Sequence, residues 1–270
     1  MSFTTNTKNG IKFHTADALS VCHAFSTRSG GVSEAPFDSL NFADNRGDKA
    51  ENLLENYRLL GEAVGFDASR VVCCRQVHSA TVVEAREEYA GKVLWNDRPF
   101  DADALVTNIS ELPLVVFSSD CCAALFYDSV TRSIGAAHAG WRGTADGVVY
   151  NVVREMERLY GAKAENIRVA LGPSIHPCCF ETNLDVPEAL REKLGEEAEQ
   201  CIIPAGEKFR VDLNLANKLW LLRAGILPEN ISVHADCTGC MLELYWSHRK
   251  MGEMRGGQIG VISLKKEEAR

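Results

Sequence analysis

Three helices are readable in the spacing of this chain's apolar residues, and β-rich segments lie between them. Leu53, Tyr57, Leu60 and Val64 form one apolar stripe at alternating steps of four and three. A second stripe runs through Val149, Val152, Val153, Met156 and Tyr160. It follows Thr144, a good N-cap, and Gly161 ends it. A third begins near Asp212, carries Leu215, Leu219 and Leu222, and stops at Gly225 with Pro228 beyond. Between them Val71 to Cys74, Leu114 to Phe117, Ile134 to Ala137, Ile167 to Leu171 and Ile259 to Ile262 are predicted strands. Helices so few and so scattered exclude a regularly alternating βα barrel. They predict an α+β fold with helices packed on a largely mixed sheet system. No repeat, low-complexity tract or Pro/Gly/Ser linker divides the chain. Residues 1–264 therefore read as one domain, and Lys265 to Arg270 as a polar tail.

A formal charge of −8 argues against a general nucleic-acid-binding surface, which is usually basic. Small anions remain admissible, because a single arginine can hold a phosphate. The N-terminal residues contain no apolar core of signal-peptide length, and no apolar run approaches a membrane span. The expectation is a soluble, cytoplasmic protein. Six of the ten cysteines are adjacent pairs, Cys73-Cys74, Cys121-Cys122 and Cys178-Cys179. Neighbouring Cα atoms lie ~3.8 Å apart, closer than the usual disulfide span, so reduced thiols are expected. Cys237-Thr238-Gly239-Cys240 has no second CxxC or histidine pair at zinc-finger distance and reads as structural.

Ala137-His138-Ala139-Gly140-Trp141-Arg142-Gly143 carries the densest chemistry. It joins an imidazole to a glycine-rich turn and a cation, just before a helix. A helix starting at Thr144 would aim free N–H groups beside His138, an anion pocket that Arg142 would complete. Gln76-Val77-His78 and Ser119-Asp120-Cys121 each end a β-like run and each offer a further ligand. His78, Cys121 and His138, with a fourth position open, would suit catalytic zinc. Separately, Phe25 to Ser33 is a turn with two glycines and Arg28, able to bind an oxyanion or sugar hydroxyl or to serve as a plain surface hairpin. His14, His23, His176 and His234 lack such contexts, while His248 sits beside Arg249.

In order along the chain, these segments resemble the laccase-domain family, historically labelled multicopper polyphenol oxidase and also described as purine nucleoside phosphorylase. The resemblance rests on His23 to Ser33, Ser39-Leu40-Asn41, Gln76-Val77-His78, Asp101 to Thr107, Asp120-Cys121 and His138 to Gly143. It continues through Leu171 to Ile175, Cys178 to Glu181, and Ser247-His248-Arg249. It implies a mixed β-sheet sandwich flanked by helices, and zinc held by His78, Cys121 and His138. It also implies phosphorolysis of adenosine, inosine, guanosine and methylthioadenosine, and deamination of adenosine. Ala123 stands where the family usually has proline, and Met254 where it tends to have glycine.

On this reading, zinc's capacity to acidify water suits attack at the purine C6. Asp103 and Asp120 are the candidate proton carriers, with Glu181 behind them. Arg28 and Arg142 are the candidate phosphate ligands. Three other readings use the same residues. One is a copper-dependent phenol oxidase, although seven scattered histidines are too few for a three-copper cluster. Another is a metal-free hydrolase with Cys121 as nucleophile and His138 as base, which leaves His78 without a task. The last is a zinc-stabilised binding module.

Overall fold

The computed structural model describes residues 2–266, so most of the predicted tail, from residue 267 on, lies outside the described residues. The chain opens with strands β1 (Phe3–Lys8), β2 (Ile11–Ala16) and β3 (Cys22–Ser26), followed by helix α1 (Ala50–Val64). Strands β4 (Val82–Glu84), β5 (Ala104–Thr107), β6 (Leu114–Ser118), β7 (Cys122–Asp128) and β8 (Ser133–Ala139) come next. Helices α2 (Trp141–Ala145) and α3 (Val148–Tyr160) lead to β9 (Ile167–Leu171) and β10 (Glu181–Thr182). Helix α4 (Asp185–Leu194), strands β11 (Ile202–Ala205) and β12 (Lys208–Val211), and helix α5 (Leu213–Arg223) follow. Strand β13 (Ile231–Val233), helix α6 (His248–Met251) and strand β14 (Gln258–Ser263) complete the described chain.

Two large sheets form a sandwich. One is antiparallel, in the order β1-β2-β3-β14-β6. The other, β13-β9-β7-β8-β5-β4, is mixed, with parallel pairs at both edges. Strand alternation explains the layering. Along β7, Ala123 and Leu125 join Leu105, Ala136 and Ala170 of the mixed sheet against Leu114, Val116 and Ile262 of the antiparallel one. Cys122, Ala124 and Phe126 face the opposite way, onto Val149, Val152, Val153 and Met156 of α3. Tyr57 and Leu60 of α1 cover the outer face of the antiparallel sheet, over Ala24, Val115 and Val261. The predicted sandwich flanked by helices is therefore the observed fold.

A third, small sheet, β10-β12-β11, packs with α2, α4 and α5 around Leu190, Val211 and Ala216. No periodic pattern had marked it, nor the β1-β2 hairpin.

Two expectations need correction. Val71 to Cys74 is not a strand. It makes only an isolated bridge, Val72 to Leu114, and all four side chains are buried between layers. Nor does the second helix start at Thr144. Helical turns begin at Trp141, and the Thr144 N–H donates to the Gly140 carbonyl (2.7 Å). The chain then breaks at Gly147, whose φ of +75° permits the turn against the Trp220 indole, and α3 starts beyond it. The third helix follows its signals: the Asp212 carboxylate accepts from the Leu215 N–H (2.9 Å) at its start.

Candidate metal centre and active site

Ser119, Asp120 and Cys121 form the crossover from β6 in one sheet to β7 in the other, at one end of the sandwich. His138 lies one residue before the end of β8, paired across the ladder with Ala123. His78 comes from a loop held to β6 by an amide that imitates a strand. Gln76 Nε2 donates to the Phe117 carbonyl (2.9 Å), and Gln76 Oε1 accepts from the Phe117 N–H (2.6 Å). Three segments remote in sequence thus converge, and the His78, Cys121 and His138 ligand atoms lie within 4.8 Å of one another. The two imidazoles meet edge to face, with centroids 4.9 Å apart.

Asp103 organises this cluster from beneath. It is fully buried. Its Oδ1 accepts from His138 Nδ1 (2.8 Å) and the His78 N–H (3.0 Å), and its Oδ2 from the Val77 and Ser79 N–H groups (3.2 and 2.6 Å). The Ser79 hydroxyl adds a further bond at 2.8 Å. A proton on His138 Nδ1 satisfies this carboxylate and would leave Nε2 to face a metal, and the carboxylate also accepts from the backbone of His78, which is left-handed (φ 62°). Burial alone would raise the Asp103 carboxyl, but the bond and charge of His138, with the Ser79 donors, bring it below its ordinary value. Burial would likewise raise the Cys121 thiol. The charge of His138 and hydrogen bonds from both histidines outweigh it and favour thiolate. His138 shifts upward in response: Cys121 and Asp103 overcome the burial that disfavours its charge.

The donor set fits a zinc-class ion: two imidazoles and a thiolate, with a carboxylate behind one imidazole. The local backbone leaves room for it. A Cβ on Gly140 would stand 2.7 Å from His78 Cδ2, 3.2 Å from Cys121 Sγ and 3.4 Å from His138 Cε1. Only the bare Gly140 lets the chain pass this close to the ligands.

Two cavities meet at the cluster, and His78, Ser119 and Cys121 line both. The larger, about 440 Å³, has apolar walls from Trp141, Ile175, Phe180, Val186 and Leu213. Its polar lining includes Asp120, Arg142, Glu181, Lys208, His248 and Arg249. The smaller, about 180 Å³, is lined by Arg46, Gln76, Arg98 and Arg255 among others. Arg98 is ion-paired with Asp44 (2.9 Å), and Arg46 is ion-paired with Glu253. Arg255 has a buried Nε without a hydrogen-bond partner, and burial and neighbouring Arg46 press its pKa down to about 10.

Asp120 (φ 87°) lines the larger cavity, its oxygens accepting from the Thr238 hydroxyl and the Arg249 N–H, both at 2.7 Å. Arg142 lines it too, its guanidinium 4.1 Å above the Trp141 ring. Asp103 and Arg28 line neither cavity. Asp103 is an anchor beneath the ligands. Arg28 donates to the Asp38 and Leu242 carbonyls and stacks 3.9 Å from Trp246. Its donors hold the Phe25 to Ser33 turn to the C-terminal half, and they do not face the cluster. Sequence reasoning missed Lys208 and Arg46, whose positions depend on which loops fold together. It placed Arg255 in a departing motif without a role. The CxxC at Cys237 is also not isolated, because Cys178 and Cys179 lie against it.

The model of the multi-copper polyphenol oxidoreductase laccase family matches residues 22–265. The chain belongs to this family. A relative in Geobacillus stearothermophilus, named purine nucleoside phosphorylase YlmD, is 33% identical over 247 residues, 89% of each chain. The crystal structure of YlmD from that organism covers 98% of this chain and 99% of its own, with a TM-score of 0.92 and 30% identity. Adenosine deaminase RL5, from an unknown prokaryotic organism, is 33% identical over 248 residues, 89% of this chain and 93% of that protein. The mouse relative named purine nucleoside phosphorylase LACC1 is 34% identical over 251 residues, and the chain spans 55% of its length. Of the two departures from the family pattern, Ala123 is buried in β7 against Gly260, and Met254 is 66% exposed beside Arg255.

Proposed function

We propose that this family member is a zinc-dependent purine nucleoside phosphorylase that also deaminates adenosine, with adenosine, inosine, guanosine and methylthioadenosine as substrates. The observation that carries the reading is the two-histidine, one-cysteine cluster at the junction of an aromatic-walled cavity and a smaller cationic one. The names of the relatives point the same way. Zinc held by His78, Cys121 and His138 would supply Lewis acidity beside the substrate.

The purine and ribose take the larger cavity, between Trp141 and Phe180, and phosphate takes the smaller one against Arg255 and Arg46. Pre-oriented guanidinium groups there hold the nucleophile in line without reorganising during reaction. A phosphate oxygen bonds to the ribose C1′ as the C1′–N9 bond breaks, and the proton that dihydrogen phosphate releases passes through the Asp120 carboxylate to the departing purine nitrogen. In deamination, water adds at C6 and ammonia leaves. Asp120 carries the proton to the amino group. Arg142, on Trp141, steadies the nucleoside.

The test is chromatography of adenosine incubated with zinc-loaded protein, with and without phosphate. Inosine, or adenine or hypoxanthine formed only with phosphate, is expected; no turnover by folded, zinc-loaded protein overturns the proposal. Arg255→Ala is expected to raise the phosphate KM at least tenfold. A rise in Arg142→Ala alone would return phosphate to the larger cavity.

The depressed Cys121 thiol beside His138 favours the metal-free hydrolase as a second reading. Alkylation separates the two, since protection of Cys121 by zinc is expected of a ligand and indifference to chelator of a nucleophile.

A further inference from the structure

We propose that Cys178, Cys179, Cys237 and Cys240 hold a second metal ion of the zinc class, as a structural site separate from the His78–Cys121–His138 cluster. All four sulfurs lie within 4.8 Å of one another. Cys240 Sγ is 3.6 Å from Cys178 Sγ and 3.5 Å from Cys179 Sγ. A disulfide requires ~2.05 Å. Sulfurs ~2.3 Å from a common tetrahedral ion sit roughly 3.8 Å apart, close to the spacing found. All-thiolate tetrahedral sites select zinc or iron over harder cations.

The backbone prepares the set. Cys179 and Phe180 both donate to the His176 carbonyl (2.9 Å), which coils the first pair into a turn. Cys240 and Met241 donate to the Cys237 carbonyl (3.0 and 3.1 Å), which does the same for the second. A β-bridge between Ser174 and Cys237 sets the two turns face to face. The His176 N–H points at Cys237 Sγ (3.4 Å), a donor suited to a sulfur carrying negative charge. Cys178 and Cys240 are exposed, so an ion has a path in.

None of the four cysteines lines the large cavity, but the segments they join build its walls. The first carries Ile175, Phe180 and Glu181; the second carries His248 and Arg249. The ion would staple these walls together without touching substrate.

The test uses His78→Ala, designed to empty the first site. Its remaining metal is expected at one equivalent per chain, with an all-sulfur shell at ~2.3 Å by X-ray absorption. Cys240→Ser and Cys178→Ser are each expected to lower the wild-type metal content by one equivalent while the nitrogen-containing shell persists. A His78→Ala protein that retains no metal overturns the proposal. So does wild-type protein whose four cysteines all alkylate rapidly in the native state, or a disulfide among them by mass. If the serine variants fail to fold, the His78→Ala measurement decides, because it leaves every cysteine in place.

Discussion

At the scale of single residues, the proposed metal centre depends on one missing side chain and one hidden carboxylate. Gly140→Ala would drive a methyl group into the His78 ring and against Cys121. It is expected to abolish metal retention after dialysis while the fold, read by circular dichroism, survives. Asp103→Asn keeps the shape but can present an amide N–H toward His138, which disturbs the tautomer. Metal affinity is expected to fall 10- to 100-fold in chelator competition. Much of this was legible in the sequence. His78, Cys121 and His138 each sit where an apolar run meets polar residues, so strand ends and chemistry coincided. The roles of Asp103 and Arg28 were not legible, because each depends on partners fixed only by the fold. Asp103 is enclosed by the Val77 to Ser79 amides, and Arg28 is anchored on the Leu242 carbonyl. The cysteine quartet was hidden for the same reason, Cys240 lying 62 residues beyond Cys178 and 61 beyond Cys179.

At the scale of elements, α1, α3 and α5 announced themselves by their apolar stripes, and α5 also by its Asp212 cap, while α4 and the short strands of the small sheet did not. Strands β10 and β12 have exposed or half-exposed faces and too few residues to establish alternation. Their importance is positional, since Glu181 and Lys208 reach the larger cavity from them. Helix α5 bears on the same wall through Leu213, and its start is secured by Asp212. Asp212→Ala is expected to cost about 1 kcal/mol in urea unfolding. Nucleoside KM should rise more than kcat falls, because the wall loosens while the ligand cluster does not.

At the scale of the whole molecule, the two sheets are joined at the site and also clasped at the first sheet's edge. His14 on β2 lies between Thr5 (3.0 Å) and the Tyr245 hydroxyl (2.8 Å), which donates to Asp236 (2.7 Å). Burial, then the neighbouring His234, lowers the His14 pKa from 6.5 to about 4. Between those values the unfolded chain binds a proton that the folded chain refuses. Stability therefore falls as pH drops through this window, by up to about 1.4 kcal/mol per pH unit, and this contribution levels off below it. Urea midpoints across the window should show the slope in wild type and a shallower one in His14→Gln. Equal slopes would assign the effect elsewhere. The junction of two cavities at the ligand cluster also bears on the order of events in turnover. On the proposed reading, neither reactant need pass the other to reach the reacting bond. Binding is then random, and either product can depart first, so initial-rate lines should intersect and no obligatory waiting complex should accumulate.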